Sequence, residues 1–410
     1  MIPAEVKQSD LLGTHLLTPP SFFRYKDLQT YIQKNLNKKH MRASAEHQLT
    51  LEDVEKEPKS TTHEHVDGML RPESIMKVAH EHGVIVPGPK EGQPLEAQTV
   101  EALIASGYPN PGPFGAGEDS QEFDRFLDMF GQSLAVMQTP ETAQASTMEV
   151  IRDLASENII YAELRFAPPY HLSKGHTMEE IIQGVLKGME EGKAETGVVT
   201  KLIISIPREI SSEEGVKVAE AAMAFENQGV VALDLACNEA DNPPEKFVKA
   251  FQATFESNLK RTVHAGEAAK DRSQLTKNIW TAIKDLRADG LGHALPLGEN
   301  SDLMSAVIDK GIRVERLPIS NKCMQVGDGN FDHLDGLVWY GIPVTVGADD
   351  PGIFGPTCSL SRNLLEVANT YGVGIGGVRA LTQNAINTAF LTDEEREAIQ
   401  RTFEFNKQRP

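Results

Sequence analysis

Short apolar runs alternate with longer amphipathic segments along most of the chain. The apolar runs span residues 159–166, 201–206, 230–236, 261–265, 290–293, 312–317 and 343–348, and the amphipathic segments between them include 178–195, 213–227, 270–287 and 300–310. With the stretch before Gly68 counted as the first strand, eight strand candidates are each followed by a helix. This alternation predicts an α/β protein with a (β/α)8 TIM-barrel fold. A doubly wound sheet is the alternative, but no glycine-rich turn follows the first strand.

The length of the chain bounds its domain organisation. With 410 residues, it is expected to form one large α/β domain with additions, or two domains. Residues 1–58 are mostly polar and predict an accessory N-terminal extension, whereas residues 59–410 predict the barrel domain, closed by helices over 376–408. Residues 121–137 predict one helix with an apolar stripe, a pattern that usually packs into a core. The stripe consists of Phe123, Phe126, Leu127 and Phe130.

The charge and cysteine content exclude several classes of partner and site. A net charge of -19 and a pI near 5.1 argue against binding to nucleic acid or to an anionic membrane. The three cysteines, Cys237, Cys323 and Cys358, include no C-x-x-C pair, so neither a disulfide framework nor a thiolate zinc site is expected. No signal peptide or membrane-spanning run is visible. We therefore expect a reduced, cytoplasmic protein; nothing in the sequence specifies its oligomeric state.

Ionisable residues recur where the predicted strands end. His63 and His65 are separated by one residue, so on a strand both side chains point to the same face. A His-x-His pattern is weak by itself, because short matches occur by chance. The later strand ends add His264, Glu267, His293, Asp349 and Asp350. Since a (β/α)8 barrel has its active site at the C-terminal ends of its strands, these residues predict a mononuclear metal site there.

The residue types indicate what such a site does. Imidazole nitrogens and a carboxylate suit Zn²⁺, with one position left for water, and we expect one ion per chain. The predicted ligands are His63, His65, His264 and Asp349. A zinc ion lowers the pKa of bound water and makes it a nucleophile. His293 would orient or deprotonate that water, and Glu267, three residues beyond a ligand, would exchange the second proton.

Several motifs resemble those of the adenosine deaminase family, in the same order, over about residues 59–400. They are His63-Glu64-His65-Val66-Asp67-Gly68, Tyr161-Ala162-Glu163-Leu164-Arg165-Phe166-Ala167-Pro168, Leu233-Asp234-Leu235-Ala236, Thr262-Val263-His264-Ala265-Gly266-Glu267, Gly292-His293, Leu317-Pro318-Ile319-Ser320-Asn321 and Asp349-Asp350-Pro351-Gly352-Ile353-Phe354. The resemblance implies zinc-activated attack of water at C6 of adenosine or deoxyadenosine, giving inosine or deoxyinosine and ammonia. No Pro-Cys-x-x-Cys element is present, which separates the chain from the thiolate-ligand zinc deaminases.

The resemblance also implies a role for individual residues. The four predicted ligands match the family's zinc ligands, and Glu267 matches the acid that protonates the purine ring. His293 matches the residue that positions the attacking water, and Asp350 matches a carboxylate that contacts the purine and the attacking oxygen. Asp67 matches the residue that holds a ribose hydroxyl. The stripe of Phe123, Phe126, Leu127 and Phe130 matches an apolar lid helix over the nucleoside, although plain core packing explains any single member equally well.

Four departures from the family pattern concern the first strand and the purine pocket. The strand before His63 is polar, Glu64 stands where an apolar residue is common, Cys237 replaces a glycine that faces the purine, and Ala294 replaces a glycine after His293. The same chemistry on another 6-aminopurine or a modified nucleoside is therefore the alternative. A free base is disfavoured by Asp67, and a nucleotide by the absence of a Lys/Arg cluster. A catalytically inactive binding protein is a third reading, but it predicts loss of a ligand or of Glu267.

Overall fold

The computed structural model describes residues 48–89, 93–114, 120–269, 271–326 and 334–408. Residues 1–47 lie outside this part, so the accessory role of residues 1–58 and the division at residue 59 stay predictions. None of the described helices is long and apolar enough to cross a membrane.

Eight parallel strands follow one another in chain order around one sheet. They are β1 (Lys59–His65), β2 (Ile159–Phe166), β3 (Val199–Pro207), β4 (Val230–Ala236), β5 (Lys260–Ala265), β6 (Gly290–His293), β7 (Arg313–Arg316) and β8 (Val344–Val346). His65 N donates to Asp349 O at 3.0 Å, and Asp349 N donates to His63 O at 3.3 Å. Because these bonds join the first strand to the segment after the last, the sheet closes, and the predicted (β/α)8 barrel is confirmed.

Helices connect the strands and surround the barrel. Those in the described residues are α1 (Leu51–Glu55), α2 (Pro72–His82), α3 (Val100–Ala105), α4 (Ser120–Asp128), α5 (Gly131–Ala135), α6 (Pro140–Ser156), α7 (Met178–Thr196), α8 (Ser212–Ala224), α9 (Val248–Ala253), α10 (Arg272–Lys284), α11 (Ser301–Lys310), α12 (Pro318–Met324), α13 (Leu334–Trp339), α14 (Pro351–Phe354), α15 (Leu360–Tyr371), α16 (Gly374–Thr388) and α17 (Asp393–Asn406). Several begin at a capping box; Thr177, for example, accepts from Glu180 N while Glu180 accepts from Thr177 N. The closing helices expected near the C-terminus are α16 and α17.

The single helix predicted over residues 121–137 is wrong. The structure has two helices there, α4 and α5, with the break at Met129 and Phe130. Met129 N donates to Phe126 O and Phe130 N to Leu127 O, a tightening of the last turn to i→i−3 bonds. Gly131 follows, and glycine is a weak helix former. The apolar stripe is therefore carried by α4 and the turn after it.

Strand β1 is polar and nevertheless almost wholly buried. Most of its polar groups have partners: Lys59 Nζ donates to Val54 O, Glu55 O and Glu57 O, the carbonyl groups at and just beyond the end of α1. Thr62 Oγ1 lies 2.9 Å from Thr345 Oγ1 across the seam between β1 and β8. These bonds explain why a sequence without an apolar pattern forms a central strand.

Charged pairs also occupy the barrel interior. Arg165, Arg313, Glu163 and Glu315 are all fully or almost fully buried. Arg165 donates to Glu315 at 2.9 Å, and Arg313 contacts both Glu163 and Glu315. Burial alone would raise the pKa of Glu315, but the two guanidinium groups hold it well below its usual value. Glu315 is therefore ionised, and it lies directly beneath the histidines at the rim.

Candidate active site

The strand ends bring the predicted ligand atoms into one cluster. His63 and His65 lie on β1, His264 on β5, and Asp349 follows β8. His264 Nε2 lies 3.0 Å from His63 Nε2 and 3.2 Å from His65 Nε2, and Asp349 Oδ1 lies 3.3 Å and 3.4 Å from the same two nitrogens. Ligand atoms about 2.0–2.1 Å from one metal ion at tetrahedral angles would be about 3.3 Å apart. The spacing therefore fits a single metal ion at the centre.

The same rim offers further potential ligand atoms. Atoms of His63, His264, His293 and Asp349 all lie within 4.8 Å of one another, and those of His65, Asp349 and Asp350 form a second such group. His293 Nε2 lies 3.8 Å from Asp349 Oδ2 and 3.6 Å from Glu267 Oε1. His293 thus adjoins both Asp349 and Glu267 at the edge of the cluster.

Polar residues behind the cluster fix the orientation of the ligands. Glu315 Oε2 lies 2.6 Å from His63 Nδ1, and Asp234 Oδ1 lies 3.1 Å from His264 Nδ1. Each carboxylate accepts from Nδ1–H, so it directs the free Nε2 lone pair toward the centre. Ser320 Oγ donates to Asp349 Oδ2 at 2.7 Å, which leaves Oδ1 facing the histidines. These three residues were not predicted as part of the site.

The protonation states suit metal binding. Burial lowers the pKa of His65 to about 3 and that of His264 to about 4, although Asp349 and Asp234 oppose the change. Both rings are therefore neutral near pH 7 and offer a lone pair. Burial would raise the pKa of Asp349, but His63 holds it well below the usual value, so this carboxylate is ionised.

Glu267 and His293 face each other beside the cluster. Burial raises the pKa of the Glu267 carboxyl well above its usual value, and the nearby charges of Asp349 and Glu239 add to the rise. These surroundings therefore favour the protonated form of Glu267. His293 Nδ1 lies 2.8 Å from Asn321 Oδ1, which fixes the ring, while its buried Nε2 has no hydrogen-bond partner among the described residues.

The backbone is strained at several rim positions. Cys237, His293, Ala294 and Asp349 have φ values of 76°, 59°, 49° and 70°, in the left-handed region that non-glycine residues rarely adopt. Such strain is concentrated at functional sites, where the surrounding structure holds it in place. Two of these positions, Cys237 and Ala294, are those where the family pattern has glycine, so the departures keep the glycine-like backbone.

Asp350 depends on a close approach to Gly68. A Cβ at Gly68 would lie 1.7 Å from Asp350 Oδ1, so only glycine leaves room for this carboxyl group. Burial raises the pKa of Asp350 well above its usual value, with Asp349 and Asp67 adding to the effect, so the protonated form is favoured. Its Oδ1 has no hydrogen-bond partner among the described residues, although it is buried. Gly68 therefore makes room for the carboxyl group of Asp350.

A cavity of about 210 Å³ lies above the cluster and opens to solvent. Every predicted site residue except His63 lines it, and His63 lies beneath it in the cluster; residues lining the cavity that were not predicted include Asp128, Leu134, Tyr170 and Ser205. The stripe on α4 forms one wall, with Phe126 stacked on Phe354 at 5.2 Å between ring centroids. The predicted site residues therefore all meet at one place.

Asp67 also lines the cavity. Its carboxylate is nearly buried, with Oδ2 3.4 Å from His171 Nε2 and Oδ1 without a partner among the described residues. Cys237 lies nearby, its Sγ 3.7 Å from the Tyr170 hydroxyl group. An unpartnered carboxylate oxygen in a cavity of this size is ready to accept a hydrogen bond from a ligand hydroxyl group.

Comparisons with known proteins point to one family. The family model described as adenosine deaminase matches residues 58–404. The adenosine deaminase of Mycobacterium leprae is 32% identical over 368 residues, covering 86% of this chain and 95% of that protein, and that of Mycobacterium avium is 32% identical over 372 residues with the same coverage. The solved adenine deaminase of Arthrobacter aurescens superposes with a TM-score of 0.71 at 23% identity, covering 85% of this chain and 98% of that one.

A second solved structure has the same fold. It is an amidohydrolase from Burkholderia ambifaria with bound Zn, with a TM-score of 0.70 at 21% identity, covering 89% of this chain and 96% of that one. The match to the family model spans most of the chain, and the two mycobacterial relatives exceed 30% identity over nearly their whole length. The chain therefore belongs to the adenosine deaminase family and is a hydrolase of carbon–nitrogen bonds in cyclic amidines.

Proposed function

We propose that the protein deaminates adenosine and deoxyadenosine hydrolytically, giving inosine or deoxyinosine and ammonia, with one zinc ion per chain. The observation that carries the proposal is the meeting of a metal-ligand cluster and a protonated Glu267 at the floor of one cavity. The mycobacterial relatives named adenosine deaminase support the choice of substrate.

His63 Nε2, His65 Nε2, His264 Nε2 and Asp349 Oδ1 would hold the ion. Four of the separations among these atoms, 3.0 to 3.4 Å, favour His65 over His293 as the third imidazole ligand. Three imidazoles and one carboxylate are a donor set typical of zinc. When bound, the ion supplies the Lewis acidity that activates water for attack on C6. The neighbouring structure with bound Zn supports this choice of metal.

Glu267 and His293 would handle the protons of the reaction. Glu267 donates its proton to the purine ring nitrogen beside C6, which makes C6 electrophilic. His293 Nε2 accepts a hydrogen bond or a proton from the attacking water, since Asn321 holds its other nitrogen. The two groups lie 3.6 Å apart, so both would face the same edge of a substrate ring and the attacking oxygen beside it.

Other cavity residues would bind the nucleoside. Protonated Asp350 can donate a hydrogen bond to a purine nitrogen, and Asp67 can accept one from a ribose hydroxyl group. Phe123 and Phe126 on α4 would cover the base with apolar surface, and Cys237 would lie against the edge of the purine ring. These assignments follow from where each group faces the cavity.

The charge of the cavity favours a nucleoside over a nucleotide. The lining in the described part of the chain contains Asp67, Asp128, Glu267, Asp349 and Asp350, and no lysine or arginine. A phosphate group would meet carboxylates and lack the cations that usually bind it. The alternative substrates are therefore other 6-aminopurines or modified nucleosides that carry no phosphate. We also propose that the enzyme is cytoplasmic, as the sequence predicts.

An ammonia-release assay over a substrate panel tests the proposal. The panel contains adenosine, deoxyadenosine, adenine, AMP and N6-methyladenosine, each with zinc-replete protein. We expect kcat/KM to be highest for adenosine and deoxyadenosine, low for adenine because it lacks ribose, and low for AMP because of charge repulsion. A higher kcat/KM for AMP or for a modified nucleoside would contradict the assigned substrate.

A further inference from the structure

A second carboxylate, Glu239, lies beneath the turn that carries Glu267. It follows β4, three residues beyond the end of that strand, and is fully buried. Its Oε1 accepts from Gly266 N at 2.9 Å, and its Oε2 accepts from Glu267 N at 2.8 Å and from Ala268 N at 3.3 Å. Three consecutive backbone N–H groups of the turn therefore point at one carboxylate.

Asn278 on α10 completes the coordination of Glu239. Its Nδ2 donates to Glu239 Oε1 at 2.8 Å. An ionised carboxylate offers about four lone-pair sites, and all of them have a donor here. Bonds to a charged acceptor are roughly twice as strong as neutral ones, so this arrangement holds the turn firmly.

Arg208 holds the other side of the same turn. It follows β3, is fully buried, and donates through its Nη2 to His264 O and through its Nη1 to Asn242 O at 2.8 Å. A cation thus binds the carbonyl group before the turn, and an anion binds the amides within it. Gly266, at φ 79°, allows the sharp turn between them.

We infer that Glu239 is a positioning residue that holds the Glu267 carboxyl group in place for proton transfer to the substrate. The inference rests on the proposed function and names a residue that acts through the backbone of the acid. Glu239 does not line the cavity, whereas Glu267 does, so Glu239 has no direct path to a ligand there. Its effect on the reaction therefore passes through the position of the turn.

The charge of Glu239 has a second effect on the same residue. It lies close enough to Glu267 to contribute to the raised pKa of that carboxyl, after burial and Asp349. The carboxylate therefore both fixes the position of the acid and favours its protonated form. A neutral group at this position would lose both effects.

The test compares Glu239→Gln with the wild type, both zinc-replete. A glutamine accepts only at its oxygen and presents an NH₂ group to amides that need an acceptor. We expect faster deuterium exchange at the amides of residues 266–268 and unchanged zinc content. We also expect kcat for adenosine to fall roughly 100-fold with little change in KM, because a small misplacement of a reacting group costs about this much.

A second readout separates positioning from a merely structural role. A nucleoside analogue with a tetrahedral, hydroxylated C6 mimics the transition state, so its affinity should fall in the same proportion as kcat/KM. Asn384→Ala is the matched control, because Asn384 is also buried and donates to Val344 O at the start of β8, far from the rim. This control should lower the stability of the protein. It should leave kcat unchanged, and it should also leave the ratio of analogue affinity to kcat/KM unchanged.

Each outcome of these tests either supports the inference or overturns it. Unchanged kcat and unchanged exchange in zinc-replete Glu239→Gln would overturn the inference, as would a loss of activity that matches a loss of zinc. If that variant does not fold, Asn278→Ala, which keeps the carboxylate, should show smaller changes of the same kind, and no change would overturn the inference. If wild-type protein releases no ammonia from any purine, the proposed function fails, while the exchange data still decide whether Glu239 holds the turn.

Discussion

The Glu267 carboxyl group is buried beside Asp349 and Glu239, and these surroundings raise its pKa and favour its protonated form. Replacing it with the isosteric amide, Glu267→Gln, keeps the shape of the site and removes the transferable proton. We expect kcat to fall by roughly 10²- to 10⁴-fold, the usual contribution of a general acid or base. Zinc content and thermal stability should stay at wild-type values, because the metal ligands are not changed.

Steady-state kinetics and metal analysis on the same preparation check this expectation. A metal-replete Glu267→Gln protein with wild-type kcat would remove Glu267 from the acid role. Joint loss of metal and rate would instead place it among the ligands. His293, 3.6 Å away, would then be the remaining candidate for proton transfer.

At the scale of elements, the loop after β8 and the segment after β1 fit closely against each other. The carboxyl group of Asp350 fits against Gly68 because that residue has no Cβ. Gly68→Ala should push Asp350 out of the cavity and lower kcat/KM for adenosine about 100-fold, since a displacement near 1 Å has this effect. Zinc binding should persist, because the neighbouring residue Asp349, which is a predicted zinc ligand, is held in place by Ser320.

Gly131→Ala is the matched control for this substitution. Gly131 begins α5, and a Cβ there would meet nothing within 4 Å. The control should keep wild-type kinetics, because alanine is a better helix former and fills open space. Equal kinetics for Gly68→Ala and Gly131→Ala would show that the Asp350 position does not depend on the glycine.

The elements also show which parts of the fold the sequence could predict. The alternation of apolar runs and amphipathic segments predicted seven strands and the closing helices, because burial on both faces leaves a clear pattern. Strand β1 has no such pattern, since most of its polar groups are satisfied by partners such as Val54 O and Thr345. The break between α4 and α5 was missed because the apolar stripe continues across it.

Some residues of the site could be predicted from the sequence, and others could not. The cluster residues were predictable because they end strands, and barrel strands end at one rim. Glu315, Asp234 and Glu239 were missed because their partners lie far away in the sequence, on other strands or loops. A single charged residue within an apolar run, such as Asp234 between Leu233 and Leu235, was the available signal. Only the folded barrel shows that this carboxylate meets His264.

At the scale of the whole molecule, the metal cluster joins distant parts of the chain. Its ligands come from β1, β5 and the loop after β8, so a bound ion would tie three segments of the barrel together. A ligand that binds only the folded state raises its stability by mass action. Metal removal should therefore lower the melting temperature as well as the activity.

The most direct measurement combines zinc content with ammonia release from adenosine before and after chelation. Our account predicts one zinc ion per chain, loss of ammonia release and a lower melting temperature after chelation, and recovery of both when zinc is returned. A protein that contains zinc but releases no ammonia from adenosine would contradict the account. So would a rate that stays unchanged after the metal has been removed.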